Sequence, residues 1–427
     1  MRTFPIIRFN LDGEEIELAD SAVLECTLLK ELDPTSASMP VGTASALIFT
    51  TDPRFSIFED GLLYQALVKN MPVSILLSDG VSSSSHGVYY LDTWKLETPN
   101  TLRLEMVDAL GVCANIAYPG SFWEEDVTLK DVLSDIMSYT NFTLNADIMI
   151  RNRPIRGWIP PSSVRDAFQQ VCFAARAMMT GLYSGMEMVG ATELPVLTPL
   201  IPYEEITNSD KTGDQTVTLL PKITDITLIS HDYYNLGTAA QSVEEIYSAW
   251  LEPGHYTISY PKPYWNVWGE GVGAYPIFVT TEDGRVIVTE GSGTTWPTAI
   301  IATELENYHF SSNHVSVWVE VAGQITLWGY PWLSADRPHR VTDVADTASS
   351  IKIEDAMLVN SDIAPAVLSN LVQYTGLRYQ TKIKLFPMPA RLGQIYRIAV
   401  YEGKYMHGIL ERMEVDLAGG FLTTATF

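Results

Sequence analysis

Basic residues are scarce in this chain of 427, where 27 Lys and Arg stand against 51 Asp and Glu for a formal charge of −24. Proteins that grip nucleic acid do so with clustered cations that displace phosphate counterions, so that class is excluded, and anionic membrane surfaces are disfavoured for the same reason. A like-charged wall still lets DNA pass without sticking. Cysteine is nearly absent. Cys26, Cys113 and Cys172 are odd in number, widely spaced and set among apolar residues, which excludes a disulfide framework and reads as buried thiols in a reducing compartment. No apolar run reaches a membrane span; the best, 171–179, is interrupted by Arg176. The first nine residues lack the apolar core of a signal peptide, so a soluble chain maturing in a cytoplasm is expected. Catalytic signatures are missing as well. There is no His-Glu-x-x-His, no Gly-x-Ser-x-Gly and no Walker or dinucleotide glycine pattern, so neither an enzyme nor a cofactor is expected.

What is present is an ordered, β-rich composition: 46% hydrophobic, 18% charged, with 10 Trp and 21 Tyr. Residues 1–118 read as about seven strands with short turns, which suggests a closed barrel or sandwich. Among them are 6–9 and 16–18 about Asp12-Gly13, 73–77, 87–91, and 94–97 and 102–106 about Thr98-Pro99-Asn100. A helical patch is expected at 61–69. Two further apolar strands, ending near Leu32 and resuming at Ala44, flank a long excursion. It breaks at Asp33-Pro34 and crosses small residues to Met39-Pro40-Val41, and its prolines forbid a helix.

Residues 119–200 change character and predict a small α/β domain. Thr128 caps one helix with Asp131 at its third position. A second follows Pro160-Pro161, capped by Ser162 or Ser163, with its buried face running from Val164 to Met179 and Gly181 as its stop. Residues 201–335 return to β, with strands at 217–220, 223–229, 256–260, 277–280, 286–289, 299–305, 315–321 and 324–330. A short helix is expected at 242–251 from the Ser242–Glu245 capping box. Residues 336–427 carry a helix at 361–375, with Pro365 in its first turn and Leu368, Leu371 and Val372 inward. Strands then follow at 379–385, 395–401, 407–415 and 421–427. The dipeptides His86-Gly87 and His407-Gly408 open the final hairpins of the first and last regions, a weak internal echo.

Three patterns are candidates for chemistry or binding. Glu124-Glu125-Asp126 allows a paired-carboxylate glycosidase, but acidic residues ahead of a helix N-terminus explain it without chemistry. His309 and His314 lie at odd strand spacing, which directs them to opposite faces and argues against a metal site. The aromatic loop with Tyr264, Trp265 and Trp268 is compatible with a carbohydrate-binding, adhesin-like β protein, although aromatics in a Pro-rich loop more often pack locally. Asn141-Phe-Thr143 matches a glycosylation sequon, which without secretion is chance.

A set of short motifs, in order along most of the chain, carries a family resemblance. They are Glu31-Leu32-Asp33-Pro34, Met39-Pro40, Leu47-Ile48-Phe49-x-x-Asp52, Gly87-x-x-Tyr90-Leu91-Asp92-x-Trp94, Val107-Asp108-x-Leu110-Gly111, the helix at 163–177, Gly393-x-x-Tyr396, and Glu414-Val-Asp416-x-x-Gly419-Gly420-Phe421. The set resembles tail hub proteins of phages and prophages with siphophage- and myophage-like tails, also called baseplate hub or tail-associated proteins. It is loosest at 240–330.

The resemblance implies a mainly β chain with an α/β insert. Two related tube-type β-barrels (1–118 and 336–427) would flank the small α/β domain (119–200) and a β-rich domain (201–335), part of which could pair with the second barrel. It further implies a homotrimer forming a quasi-sixfold ring that joins the tail tube to the distal tip of a virion and lets DNA through, assembled in a bacterial cytoplasm. Implied partners are the tail tube or distal tail protein, the tape measure protein, and separate tip, fibre or receptor-binding proteins. DNA would be met only in transit, and no stable membrane association is implied. The chain stops after its last hairpin, so fibre or lytic functions are expected on other chains. In such a ring, Leu32, Asp33, Pro34, Met39, Pro40 and Val41 become the expected inter-subunit or tube contact.

Overall fold

The computed structural model describes residues 3–11, 13–33, 40–51, 67–180, 188–193, 204–252, 254–272, 277–280, 286–289, 300–301, 309–310, 312–319, 323–342, 349–387, 392–400 and 403–427. Strands dominate these residues, and the four helices among them lie mostly in one insert. The chain is mainly β with a small α/β insert.

The first unit follows the alternation read in the sequence. Strands β1 (Phe4–Leu11) and β2 (Glu14–Ala19) form the expected hairpin. After them come β3 (Val23–Glu31), β4 (Thr43–Phe49), β5 (Pro72–Ser78), β6 (Ser83–Thr98) and β7 (Thr101–Val107). Every second residue of β4 and β7 is buried, and of β3 from Cys26 onward past its bulge, as a strand with one wet face requires. The pieces expected at 87–91 and 94–97 are one strand of 16 residues, bent at a bulge between Leu91 and Thr93. The expected helical patch at 61–69 falls almost wholly outside the described residues.

The second unit repeats this layout with strands from distant parts of the chain: β8 (Thr216–Leu219), β9 (Tyr379–Leu385), β10 (Ile395–Ala399), β11 (Tyr405–Ile409), β12 (Arg412–Asp416) and β13 (Leu422–Thr426). The single strand expected at 407–415 is therefore two. Both units share a backbone signature. Asn70 and Gly393 both sit at positive φ, 65° and 77°, and each opens the strand that follows. The Asn70 N–H donates to Leu91 O (2.7 Å) and Leu91 N–H to Met71 O (3.0 Å); Gly393 N–H donates to Leu410 O (2.9 Å) and Leu410 N–H to Gln394 O (3.0 Å). Leu91 thus corresponds to Leu410, and the bulge between Leu91 and Thr93 to the break between the strands ending at Ile409 and beginning at Arg412. On this match Gly408 falls at Tyr89, so the His-Gly echo is two residues out of register and is coincidence. The repeat lies in the backbone.

Both units belong to one sheet of 11 strands, in the order β8-β9-β13-β12-β3-β4-β7-β6-β5-β1-β2. Beside it, β10 and β11 pair with each other and with Glu204–Ile206. A single hydrophobic core, from Ile7 and Cys26 to Tyr396 and Val415, lies under both units.

A second core joins the insert to the second unit's helix. The insert holds α1 (Ala109–Cys113), α2 (Leu129–Met137) and α3 (Val164–Ala175), capped by Asp108, Thr128 and Ser163. Helix α3 stops at Arg176, which adopts the left-handed conformation (φ 53°), so Met179 is buried from the next strand rather than from the helix. Helix α4 (Ala364–Thr375) starts later than expected, because Asn360 Oδ1 accepts from the Asp362 and Ile363 N–H groups and holds the preceding turn out of the helix. Its Leu368 and Leu371 are buried while Val372 is exposed.

One expectation was of the wrong type. Residues 242–251 do not form a helix; Glu244–Leu251 is a strand laddered to Gly323–Pro331. A capping box is worth about 1 kcal/mol, which a full ladder and burial in a third core outweigh.

Candidate assembly surface

The sheet's outer face is polar, and its charges are matched locally. Arg412 lies 2.5 Å from Glu31 and 2.7 Å from Glu414. Arg103 reaches Glu97 at 2.6 Å and Glu25 at 3.0 Å, and these contacts hold its guanidinium well above, and the Glu97 carboxyl below, their ordinary values. Ser45 donates to Glu105 at 3.0 Å. Ser45, Glu105, Arg412 and Glu414, with Thr27, Thr43, Thr424 and Lys384, line a shallow groove of about 480 Å³ along β3, β4 and β12. Such exposed pairs contribute little stability. Their consequence is that Arg103 and Arg412 are both held by carboxylates of the same face.

The units join where β3 and β12 pair antiparallel, with Leu28 opposite Val415, Leu29 opposite Glu414, Lys30 opposite Met413 and Glu31 opposite Arg412. Towards the core the seam is closed, with Leu28 2%, Lys30 7%, Met413 1% and Val415 2% exposed.

Lys30 is a charge in this core. Its ammonium donates to His86 O at 2.7 Å and faces the half-buried Asp108. Burial pulls Lys30 down to about 8 against the opposing pull of Asp108, and pushes Asp108 up to about 6 against its backbone hydrogen bonds and Lys30. Burial, then the Lys30 charge, pull His86 down to about 4, and its Nε2 has no hydrogen-bond partner among the described residues. Because His86 is depressed, its contribution to stability is present above its ordinary value near 6.5 and lost as pH falls through about 4. His86→Leu is expected to gain about 2–3 kcal/mol relative to the parent as pH falls from 6.5 to 4, read from urea midpoints at stepped pH.

Of the contact residues read from the sequence, Pro34 and Met39 lie outside the described residues. Leu32, Asp33 and Pro40 line a cleft of about 620 Å³ whose other walls include Ile223, Tyr374, Leu377 and Glu411 of the same chain. Leu32 N–H donates to Glu411 O at 2.8 Å. Burial and Asp33 raise the Glu411 carboxyl while the Tyr374 hydroxyl, donating at 2.7 Å, opposes them. Val41 packs so closely on Gly111 that a Cβ there would stand 2.7 Å from its Cγ1, which is why glycine is needed in α1. The described ends of the excursion are thus tied to their own chain.

Of the aromatic stretch, the side chains of Tyr264 and Trp265 are described. Tyr264 is 2% exposed, and its hydroxyl donates to Glu244 at 3.2 Å. Trp265 stacks on Tyr330 at 5.0 Å between centroids, and the Trp268 side chain lies outside the described residues. Glu124, Glu125 and Asp126 are exposed on the strand Ser121–Thr128, where Asp126 lies 3.8 Å from Arg156. Among the described residues no three His, Cys, Asp or Glu side chains come together to hold a metal.

Two stretches that sequence reading passed over as ordinary strands prove distinctive. Val217 and Leu219 on β8 are 42% and 55% exposed. Trp94 and Leu96 on β6 are half-buried against the barrel core. The signal was there, as apolar alternation on strands that turn out to lie at a sheet edge, but edges are invisible without the pairing order.

No protein-family model and no curated protein matches the chain. Among solved structures, the tail protein from Neisseria meningitidis MC58 superposes at 8% identity over 99% of this chain and 95% of its own, with a TM-score of 0.53. The 43 kDa tail protein of prophage MuSo2 from Shewanella oneidensis superposes at 8% identity over 99% and 97%, with a TM-score of 0.49. Prophage tail protein gp18 from Listeria monocytogenes EGD-e does so at 8% over 99% and 93%, with a TM-score of 0.48. At such identity the likeness is one of fold, and along nearly its whole length this chain has the fold of the Neisseria tail protein.

Proposed function

We propose that this chain is a structural component of a phage-like tail: a trimeric hub whose two units per chain form a quasi-sixfold ring at the distal end of the tail tube. DNA passes along its polar face. The observation that carries the reading is the duplicated strand order in one sheet, joined at a seam inside the chain. Three copies of a chain with two like units present six like surfaces, which lets a threefold assembly meet a sixfold tube. The locally matched charges of the face suit passage without binding. In this role the chain is structural rather than enzymatic. Its partners are further copies of itself, the tube or distal tail protein, the tape measure protein, and separate fibre or receptor-binding chains, with the excursion at 33–41 as an additional contact.

Native mass spectrometry and negative-stain imaging test the reading, which expects three copies in a ring with a central opening. A monomer at the concentrations where tail proteins assemble would overturn it. Replacing 34–39 with a short Gly-Ser linker should leave the unfolding midpoint of the protein unchanged and weaken ring or tube association. Unaltered assembly would remove the excursion from the contact.

A further inference from the structure

The backbone repeat matches β3, β4, β5, β6 and β7 to β8, β9, β10, β11 with β12, and β13, and the seam inside the chain then implies a second seam between chains. Counting from Leu91 and Leu410, the residues Thr93, Trp94, Lys95, Leu96 and Glu97 of β6 correspond to Arg412, Met413, Glu414, Val415 and Asp416 of β12. Both segments pair on one side with the closing strand of their unit, β7 or β13. Likewise Leu28 lies opposite Ala44, which pairs with Met106, whereas Val217 lies opposite Thr381, which exchanges hydrogen bonds with Phe427 at 2.8 and 2.9 Å. Val217 therefore corresponds to Leu28, Thr218 to Leu29 and Leu219 to Lys30. The second edge of β12 is taken by β3. Among the described residues, neither the corresponding edge of β6 beyond Asp92 nor the outer edge of β8 has a partner.

We propose that β8 of one copy pairs antiparallel with the distal half of β6 in the next copy, reproducing between chains the seam that β3 and β12 make within one. The register transfers directly: Val217 opposite Leu96, Thr218 opposite Lys95 and Leu219 opposite Trp94. This inference rests on the ring reading above and names the surface that closes the ring.

Three observations favour a second copy as occupant. The first is that the chain already makes this contact once, with the same strand order on each side. The second is exposure. Leu28 and Val415 are each 2% exposed in the inner seam, whereas their counterpart Val217 is 42% exposed and Leu219 beside it 55%. Alternate apolar residues left uncovered along a free strand edge are what β-augmentation covers. The third is shape. A pocket of about 430 Å³, lined by Val217, Leu220, Tyr379, Met406, Ile409 and Phe427, opens beside β8. Trp94 and Leu96 of the neighbour are the apolar side chains that the register aims at it. Towards the polar face, Thr218 meets Lys95 where Leu29 meets Glu414 in the inner seam.

Cysteine cross-linking tests this, since the three native cysteines are buried and directly opposed residues on paired strands lie within disulfide reach. Thr218→Cys and Lys95→Cys chains are mixed and oxidised, with Leu29→Cys/Glu414→Cys as the within-chain control. The expected result is a disulfide-linked dimer only when both single variants are present, and an internal cross-link in the control. A ring of three copies that gives no Thr218–Lys95 cross-link while the control links would overturn this interface and leave the ring reading standing. Absence of any ring would overturn both. Leu219→Asp, which leaves the inner seam untouched, should raise the dissociation midpoint at least ~100-fold with unchanged circular dichroism; a ring of unaltered affinity would overturn the pairing.

Discussion

Asp108→Ala is expected to lower the unfolding free energy by about 3–5 kcal/mol, read from the urea midpoint. Its carboxylate does three jobs at once. It caps α1 by accepting from Gly111 N–H at 2.9 Å, and it holds the end of the excursion by accepting from Gly42 N–H at 2.8 Å. It also faces the buried Lys30. Removing it strands two backbone donors and an ammonium in the core, the arrangement that costs most when one partner is lost. Adding Lys30→Met to Asp108→Ala should recover part of the loss, because the charge goes with its partner. Burial raises Asp108 from its ordinary 3.8 to about 6, so between those values the native state binds more protons than the unfolded chain. The part of the stability linked to its proton is fully present below 3.8 and is lost as pH rises through about 6, opposite in sign to His86, while the contacts to Gly111 and Gly42 remain. Asp108→Asn should flatten that window. A loss under ~1 kcal/mol for the alanine variant would show that the anchor is dispensable.

Val415→Asp is expected to abolish cooperative unfolding of the two units as one. Val415 is buried opposite Leu28 in the seam, and a carboxylate there would be taken out of water without a cation within the pair. The penalty is several kcal/mol, comparable with the stability of a whole domain. Calorimetry should then show the core under the sheet of the two units melting ahead of the core that joins the insert to α4. Val415→Thr, of the same shape with one hydroxyl, should cost only about 1–3 kcal/mol and retain a single transition. If the aspartate variant unfolds as one unit at the parent midpoint, the seam does not couple the units.

Elements with strong local signals were legible in advance. The Thr128 and Ser163 caps, the Asp12-Gly13 hairpin and strand β9 stand where periodicity and turn chemistry put them. The errors fall where distant partners decide. Glu244–Leu251 has a helix-start pattern but finds a ladder partner some eighty residues away. Helix α3 ends at Arg176 because a non-glycine residue there takes a left-handed backbone, which composition does not announce. At 264–268 clustered aromatics and prolines left binding and local packing both open, with packing favoured, and Tyr264 is buried by residues it meets only in the folded chain.

The sequence by itself determined the class of this protein. Its acidic balance, scarce cysteine, absent catalytic motifs and alternating apolar strands specify an ordered, mainly β chain, and ordered short motifs pointed to tail proteins. Which strands are edges, and that units whose strands begin at Phe4 and at Thr216 share one sheet, only the tertiary structure decided. The physical reason is that alternation specifies which face of a strand is buried and leaves open which strand it pairs with. Backbone hydrogen bonds are the same for every residue, so pairing order is written in the packing of the whole chain. The repeat was hidden for the same reason, because it is kept by backbone geometry at Asn70 and Gly393 rather than by any shared dipeptide.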